Sequence, residues 1–298
     1  MRVVIVLIAR VAASVAVLAV ILSRVSIEEV LARGAGGAPL LLAAALALSL
    51  LGVVLVALRW RLLAGWLGLE VPVGFAVRAL FLAVFGGQVL PSALGADILR
   101  GWMLARHTSG VARTVASLMA DRLVALFAAC LLVLLSGGGT KQLLPAYGGL
   151  LGPAAALISG GILLAFLLGL RRGMEGVTLQ PGPILLAIAI ALTVHAGTVA
   201  VAAVTARAYA VDSSLELWIS VIPLSVIVSA LPISLNGWGV REAMIVVLAA
   251  PLGLPAAEAL LVSLTLGILN MLASLPGALV MLRSRRARLG MILPPSQQ

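Results

Sequence analysis

Long apolar runs separated by short polar or charged breaks organise this chain from one end to the other. A membrane-crossing helix needs about 20 consecutive, mostly apolar residues. Six stretches meet that requirement: 3–22, 38–58, 114–135, 149–170, 183–206 and 257–281. The first follows Met1-Arg2 and has the outline of a signal peptide. Its apolar run is long, however, and Ser23-Arg24-Val25 is a poor cleavage site, so it is read as a retained helix. Two further apolar stretches, 74–98 and 217–250, are each broken midway. In the first, 75–90 runs into Pro91, Gly95 and Asp97, then Arg100. In the second, 218–231 runs into Pro232, Asn236, Gly237 and Gly239, then Arg241-Glu242.

Composition turns this pattern into a fold class. Of 298 residues, 63% are hydrophobic and 10% charged, with mean hydropathy +1.24. A soluble domain carries about 25% charged residues, so most of this exterior must face lipid. The single Cys130 lies in an apolar run and excludes both a disulfide framework and a cysteine metal site. The net charge of +10 is nearly all arginine, strung between apolar runs without a basic face or a nucleic-acid motif. It is read as the excess of basic residues on cytoplasmic loops. With the N-terminus inside, thirteen basic residues flank the cytoplasmic side: Arg2, Arg59, Arg61, Arg78, Arg100, Arg106, Arg113, Arg171, Arg172, Arg283, Arg285, Arg286 and Arg288. Arg24, Arg33, Lys141 and Arg207 fall opposite, so both termini are expected in the cytoplasm.

That orientation leaves no room for 74–98 and 217–250 as full crossings, because the later basic flanks would then change sides. If each stretch enters and returns, every flank keeps its place. Irregular backbone at membrane depth needs protein or a watery cavity around it, and both stretches are read as re-entrant helical hairpins. The two breaks also resemble each other. LPSALGADILR (90–100) aligns with LPISLNGWGVR (231–241), pairing Pro91 with Pro232 and Arg100 with Arg241 at an offset of 141. The same shift carries 3–22, 38–58 and 114–135 close to 149–170, 183–206 and 257–281. The expected architecture is therefore an all-α integral membrane protein with about six transmembrane helices and two re-entrant hairpins. Its halves, 1–140 and 141–285, form an inverted-topology repeat, followed by a cytoplasmic tail, 286–298. Such repeats are common in secondary transporters, whose sites lie near the midplane between halves.

The hairpin motifs carry a family resemblance. LPSALGADILRGWMLAR followed by TVASLMADRLVAL, and LPISLNGWGVREAMIVVLAAPLGLPAAEAL leading to LPGALVML, resemble two blocks of the flippase-like transmembrane region of lysylphosphatidylglycerol synthases. The resemblance covers about 40–283; Asn236 departs from it, standing where a small residue or Gly is expected. It implies a bacterial inner-membrane protein that moves a polar-headed or polyprenyl-linked lipid between leaflets. Because the chain ends at Gln298, with no room for a soluble aminoacyl-transfer domain, lipid lysylation is not expected. A different reading makes it a membrane subunit that scaffolds a glycosyltransferase or lipid-modifying enzyme without transporting anything.

Candidate substrate-binding residues cluster at the breaks. Arg100 and Arg241 offer planar forks of donors suited to a lipid phosphate; alternatively Arg100 reaches the interface and Arg241 pairs with Glu242. Asp121 and Arg122 lie inside a span, where charges are costly and need partners. Those partners are either lipid or structural ion pairs, Asp121 with Arg100 and Arg122 with Asp97. Glu242 and Asp97 could hold an arginine or a coupling cation or proton, and Asn236 adds a polar group at the second break. His195 and Asn270 read as packing groups between helices. Pro91, Gly95, Pro232, Gly237 and Gly239 are the expected break positions. Gly86-Gly87 and Gly137-Gly138-Gly139 lack the Lys-Ser/Thr of a phosphate loop. No hydrolase or metal-binding motif appears, and no cofactor is expected. The expected partner is a membrane lipid with an anionic headgroup.

Overall fold

A computed structural model describes residues 25–89, 95–106, 110–136, 148–178, 180–229 and 237–292, with parts of 12–23. The described residues form helices joined by short turns. They are α1 (Ile27–Gly34), α2 (Pro39–Trp66), α3 (Val73–Val89), α4 (Gly95–Ala105) and α5 (Val111–Leu135), then α6 (Gly148–Gly173), α7 (Pro181–Ala208), α8 (Leu215–Ser229), α9 (Val240–Ala249) and α10 (Ala256–Ile292). Five of these contain segments long and apolar enough to cross a membrane: Pro39–Trp66, Val111–Leu135, Gly152–Gly173, Pro181–Ala208 and Ala256–Leu282. The chain is a multi-pass, all-α membrane protein. Those five match five of the six expected spans; the remaining one, 3–22, lies largely outside the described residues.

Local chemistry explains where helices start and stop. Both α2 and α7 begin with Pro at the first helical position, where its missing N–H costs nothing. Each has 28 residues, about 42 Å at 1.5 Å per residue, well beyond the ~30 Å hydrocarbon thickness. The two interrupted stretches behave differently. With 11 and 10 residues, α4 and α9 reach only about 15 Å, too short to cross. On α1, the Ser26 hydroxyl accepts from the Glu29 N–H at 3.3 Å, an N-cap bond. Arg33 then ties this short helix to Glu29 at 3.2 Å and to Glu258 of α10 at 2.5 Å.

Helix packing is built on small residues and satisfied tryptophans. The most extensive contact joins α2 to α7, with Ala45 packed among Val199 and Ala202. These two helices are antiparallel. The Ala38 N–H before α2 donates to the Ala208 carbonyl ending α7 at 2.8 Å, and the Trp66 indole closing α2 donates to the Thr178 carbonyl before α7 at 2.9 Å. Arg113, at the start of α5, donates to Leu67 and Glu175 at that second end. The start of α10 meets Arg33 at the first end. Fully buried Trp60 and Trp218 donate to Ser117 at 3.2 Å and Ser213 at 3.0 Å.

The contacts among α2–α5 and α7–α10 follow one scheme. Helix α3 packs on α10 while α8 packs on α5, and α2 and α7 each touch both α5 and α10. The short pairs α3–α4 and α8–α9 pack together, α4 also meets α5, and α9 meets α10. Exchanging α2–α5 for α7–α10 leaves this set of pairs unchanged. At the α3–α10 crossing the backbones approach so closely that a Cβ on Gly277 would overlap the Phe81 carbonyl.

Candidate functional site

Helix α5 turns one polar stripe inward. Thr114, Ser117, Asp121, Val124 and Ala128 are buried, at the three-and-four spacing of one helix face, while Val111, Val115 and Met119 are exposed. An ionised Asp121 on that inner stripe is 2% exposed and needs cations beside it. Two arginines supply them. Arg59 Nε from α2 lies 2.7 Å from Asp121 Oδ1, and Arg100 Nη2 from α4 lies 2.9 Å from Oδ2. Arg100 also bonds Asp97 one turn earlier, through Nη2 at 2.6 Å and Nε at 2.9 Å. Asp97 Oδ2 then accepts from Arg122 Nε on α5. Below Arg100 lies the Trp60 ring, 5.2 Å from its guanidinium carbon, within cation–π range.

This cluster links three helices through three arginines and two aspartates, leaving one net positive charge. Arg100 is 4% exposed, and its buried Nη1 has no hydrogen-bond partner. Arg100, Asp97, Asp121 and Arg122 were all nominated by the sequence, and both expected structural pairs form. Arg59 was missed as a site residue. Reading the apolar run as ending at residue 58 placed Arg59 on a cytoplasmic flank, whereas α2 continues to Trp66 and Arg59 is 4% exposed on its inner face. An arginine neutralised inside the bundle does not end a helix. The signal lay in Leu62, Leu63, Ala64 and Trp66, which carry the apolar pattern past Arg59. Arg100, also counted as a flank, is equally buried.

A second polar group sits at the start of α9. Gly237 and Gly239 have φ of 83° and 84°, a left-handed conformation that glycine adopts without a Cβ penalty. The turn delivers the Gly239 N–H to Glu242 Oε2 at 2.6 Å, the backward arm of a capping box. Glu242 Oε1 accepts from Arg241 through Nη2 at 2.5 Å and Nε at 3.1 Å. Glu242 is fully buried. Arg241 lies 5.1 Å from the Trp238 ring, and both side chains occupy the space left by the missing Cβ of Gly267 on α10.

Arg241 opens onto a cavity of about 560 Å³ bounded by α2, α3, α7, α8, α9 and α10. Its walls are mainly aliphatic, with Ser49, Thr193, Thr198, Ser225 and Asn270 as the uncharged polar groups. Leu51 on its rim is 52% exposed, so the space communicates with the surface of the bundle. Arg100, Asp97, Asp121 and Arg122 are not among its lining residues. The nominated residues thus divide into two clusters, and only the second reaches this cavity. Gly95 opens α4, and Gly237 and Gly239 form the turn before α9. Pro91, Pro232 and Asn236 lie outside the described residues. His195 packs between helices with Nε2 2.9 Å from the Ala125 carbonyl. A separate, shallower cleft of about 700 Å³ is lined by Arg61, Glu70 and Gln180 at the C-terminal end of α2.

No curated protein matches the chain. The family model described as the lysylphosphatidylglycerol synthase transmembrane region matches residues 7–277, a range that holds both polar clusters and the described residues lining the cavity. The chain therefore belongs to the family of the lysylphosphatidylglycerol synthase transmembrane region.

Proposed function

We propose that this protein moves a polar-headed or polyprenyl-linked lipid between the leaflets of a bacterial cytoplasmic membrane. One observation carries the reading: the 560 Å³ cavity is walled by helices of both halves and presents a guanidinium, Arg241, on an otherwise largely aliphatic surface. An apolar wall suits lipid chains, and a cationic group at depth suits a headgroup phosphate. The architecture fits the same reading. Antiparallel α2 and α7, and the opposite ends at which α5 and α10 begin, support an inverted repeat. Pair α3–α4 follows the end of α2 and precedes the start of α5, both at one end of the bundle. Pair α8–α9 stands likewise at the other end, which supports two re-entrant hairpins entering from opposite faces. Transporters of this build place their sites between the halves.

Orientation follows from charge. With Arg59 and Arg100 removed from the flanks, eleven basic residues still stand against four, which supports cytoplasmic termini. The experiment is reconstitution of the purified protein in vesicles carrying fluorescent lipids, with leaflet exchange followed by quenching. Gly52 and Gly197 line the cavity on α2 and α7, and a Cβ at either position would meet nothing within 4 Å. Gly52→Phe and Gly197→Phe therefore fill the cavity without disturbing the bundle. Both should keep the wild-type unfolding temperature and lose at least ten-fold in exchange rate. Exchange at the wild-type rate in both variants would reject the cavity as the lipid path. No exchange of any lipid by the wild-type protein would favour the scaffolding role.

A further inference from the structure

We infer that the cavity accepts a lipid whose headgroup is anionic and rich in hydroxyl donors, and that it disfavours a cationic, aminoacylated headgroup. The inference rests on the transport reading only in treating this cavity as the cargo site. Three features of the lining carry it.

Among the described residues lining the cavity, Arg241 is the only ionisable side chain. A guanidinium has five N–H donors, and Arg241 directs two nitrogens at Glu242. The remaining donors are free for a phosphate, which a planar fork binds through two parallel bonds. Among the described lining residues there is no carboxylate that could receive an ammonium. Glu242 pairs with Arg241, but it is 0% exposed and both its oxygens are engaged, one by Arg241 and one by the Gly239 N–H. A lysyl headgroup would bring its ammonium toward Arg241 in a poorly solvated space, where like charges repel strongly.

The hydroxyls bear on the other half of the inference, the preference for a headgroup with O–H donors, while the discrimination against an ammonium rests on Arg241. Ser49, Thr193 and Thr198 donate to the carbonyls one turn back, Ala45, Ala189 and Val194, at 2.9, 3.0 and 3.1 Å. Ser225 donates to Ile222 at 2.8 Å. Each hydroxyl has one hydrogen, so each oxygen keeps only acceptor capacity toward the cavity. Such a wall matches a polyol or sugar headgroup that brings its own O–H donors. The third feature is the neighbouring charge. Val56 lines the cavity on α2, and Arg59 of the positively charged α2–α4–α5 cluster follows one turn later, about 5 Å along the helix.

Binding to the purified full-length protein tests this directly, with thermal unfolding and native mass spectrometry as readouts. The probes are phosphatidylglycerol, lysylphosphatidylglycerol and chain-free glycerol phosphate. Phosphatidylglycerol should bind at least ten-fold more tightly than its lysyl ester, and glycerol phosphate should produce no shift, because the aliphatic walls require a chain. Arg241→Gln alone leaves Glu242 buried without its cation and is expected to unfold. The paired change Arg241→Gln with Glu242→Gln removes both charges at similar volume and should abolish the ten-fold preference. Equal or tighter binding of lysylphosphatidylglycerol would overturn the inference, as would a preference that survives the paired change. A response to glycerol phosphate equal to that of the lipid would replace the lipid site with a free-phosphate site. Selective binding without leaflet exchange in vesicles would sink the transport reading while leaving this one standing.

Discussion

Asp121 holds the most consequential pair of contacts in the first polar cluster. Removing one partner of a buried ion pair costs about 3–5 kcal/mol because the remaining charge is stranded in low dielectric. Asp121→Asn strands the buried Arg59 and leaves Arg100 with Asp97 alone, a carboxylate it shares with Arg122. The expected result is a destabilisation at the upper end of that range, measured as loss of folded protein in detergent on heating. Arg122 gives the contrast: its side chain is 38% exposed, and partly exposed pairs contribute about 0–1 kcal/mol. Arg122→Gln should therefore shift the unfolding temperature far less. Equal shifts for the two variants would show that burial does not set the energetics here. The pairs of Asp121 with Arg100 and Arg122 with Asp97 were legible in the sequence because charges inside a span need partners. The role of Arg59 was not, because sequence hydropathy records a charge without recording its neutralisation.

At the scale of elements, two contacts discriminate between packings. Gly277 of α10 lies against the Phe81 backbone of α3, and a backbone cannot retreat as a side-chain tip can. Gly277→Leu should force α3 and α10 apart, with a cost exceeding the 1–3 kcal/mol typical of overpacking, seen as a lowered unfolding temperature. Gly52→Leu, facing open space in the cavity, should be neutral or slightly stabilising, since leucine is the better helix former. The short helix pairs make a topological prediction. Single cysteines replacing exposed Glu70 and Arg106 bracket α3–α4, and those replacing exposed Asp212 and Pro255 bracket α8–α9. In a Cys130→Ser background, a membrane-impermeant thiol reagent should label the first two from the cytoplasmic face and the second two from the opposite face. Labelling of Glu70→Cys and Arg106→Cys from different faces would mean that α3–α4 crosses the membrane. The breaks themselves were visible as Pro and Gly in apolar runs, whereas the two clusters they serve were not separable from sequence.

For the whole molecule, sidedness and lipid path are the testable properties. A reporter active only outside the cytoplasm, fused after Gln298, should give no signal if basic flanks decide the orientation. Strong activity would reverse the orientation and exchange the faces from which the two short pairs enter. The internal contacts already group elements by end: Arg33 with Glu258 at one, and Arg113 with Leu67 and Glu175 at the other. The candidate residues Arg100, Asp121, Arg122, Arg241 and Glu242 fall into two groups, an ion-pair lock on α2, α4 and α5 and a capped pair whose Arg241 reaches the cavity.

Hydropathy period and length determined the fold class and five of the crossings, because a lipid-facing helix has to be apolar over about 20 residues whatever its neighbours. Prolines and glycines likewise marked the two interruptions, since they act on the backbone locally. Tertiary structure alone brought Arg59 into the first cluster. Arg59 and Asp121 are 62 residues apart in the chain yet 2.7 Å apart in space, and no local rule encodes that distance. It also decided that Arg241 faces an open cavity while Arg100 is enclosed. Arg100 and Arg241 occupy matching places in the repeated motif, but the acids around them differ. Asp121 comes to Arg100 from another helix, whereas Glu242 comes to Arg241 from the next residue. A paired guanidinium locked between helices is removed from solvent, and one held locally at a helix start keeps donors free for a ligand.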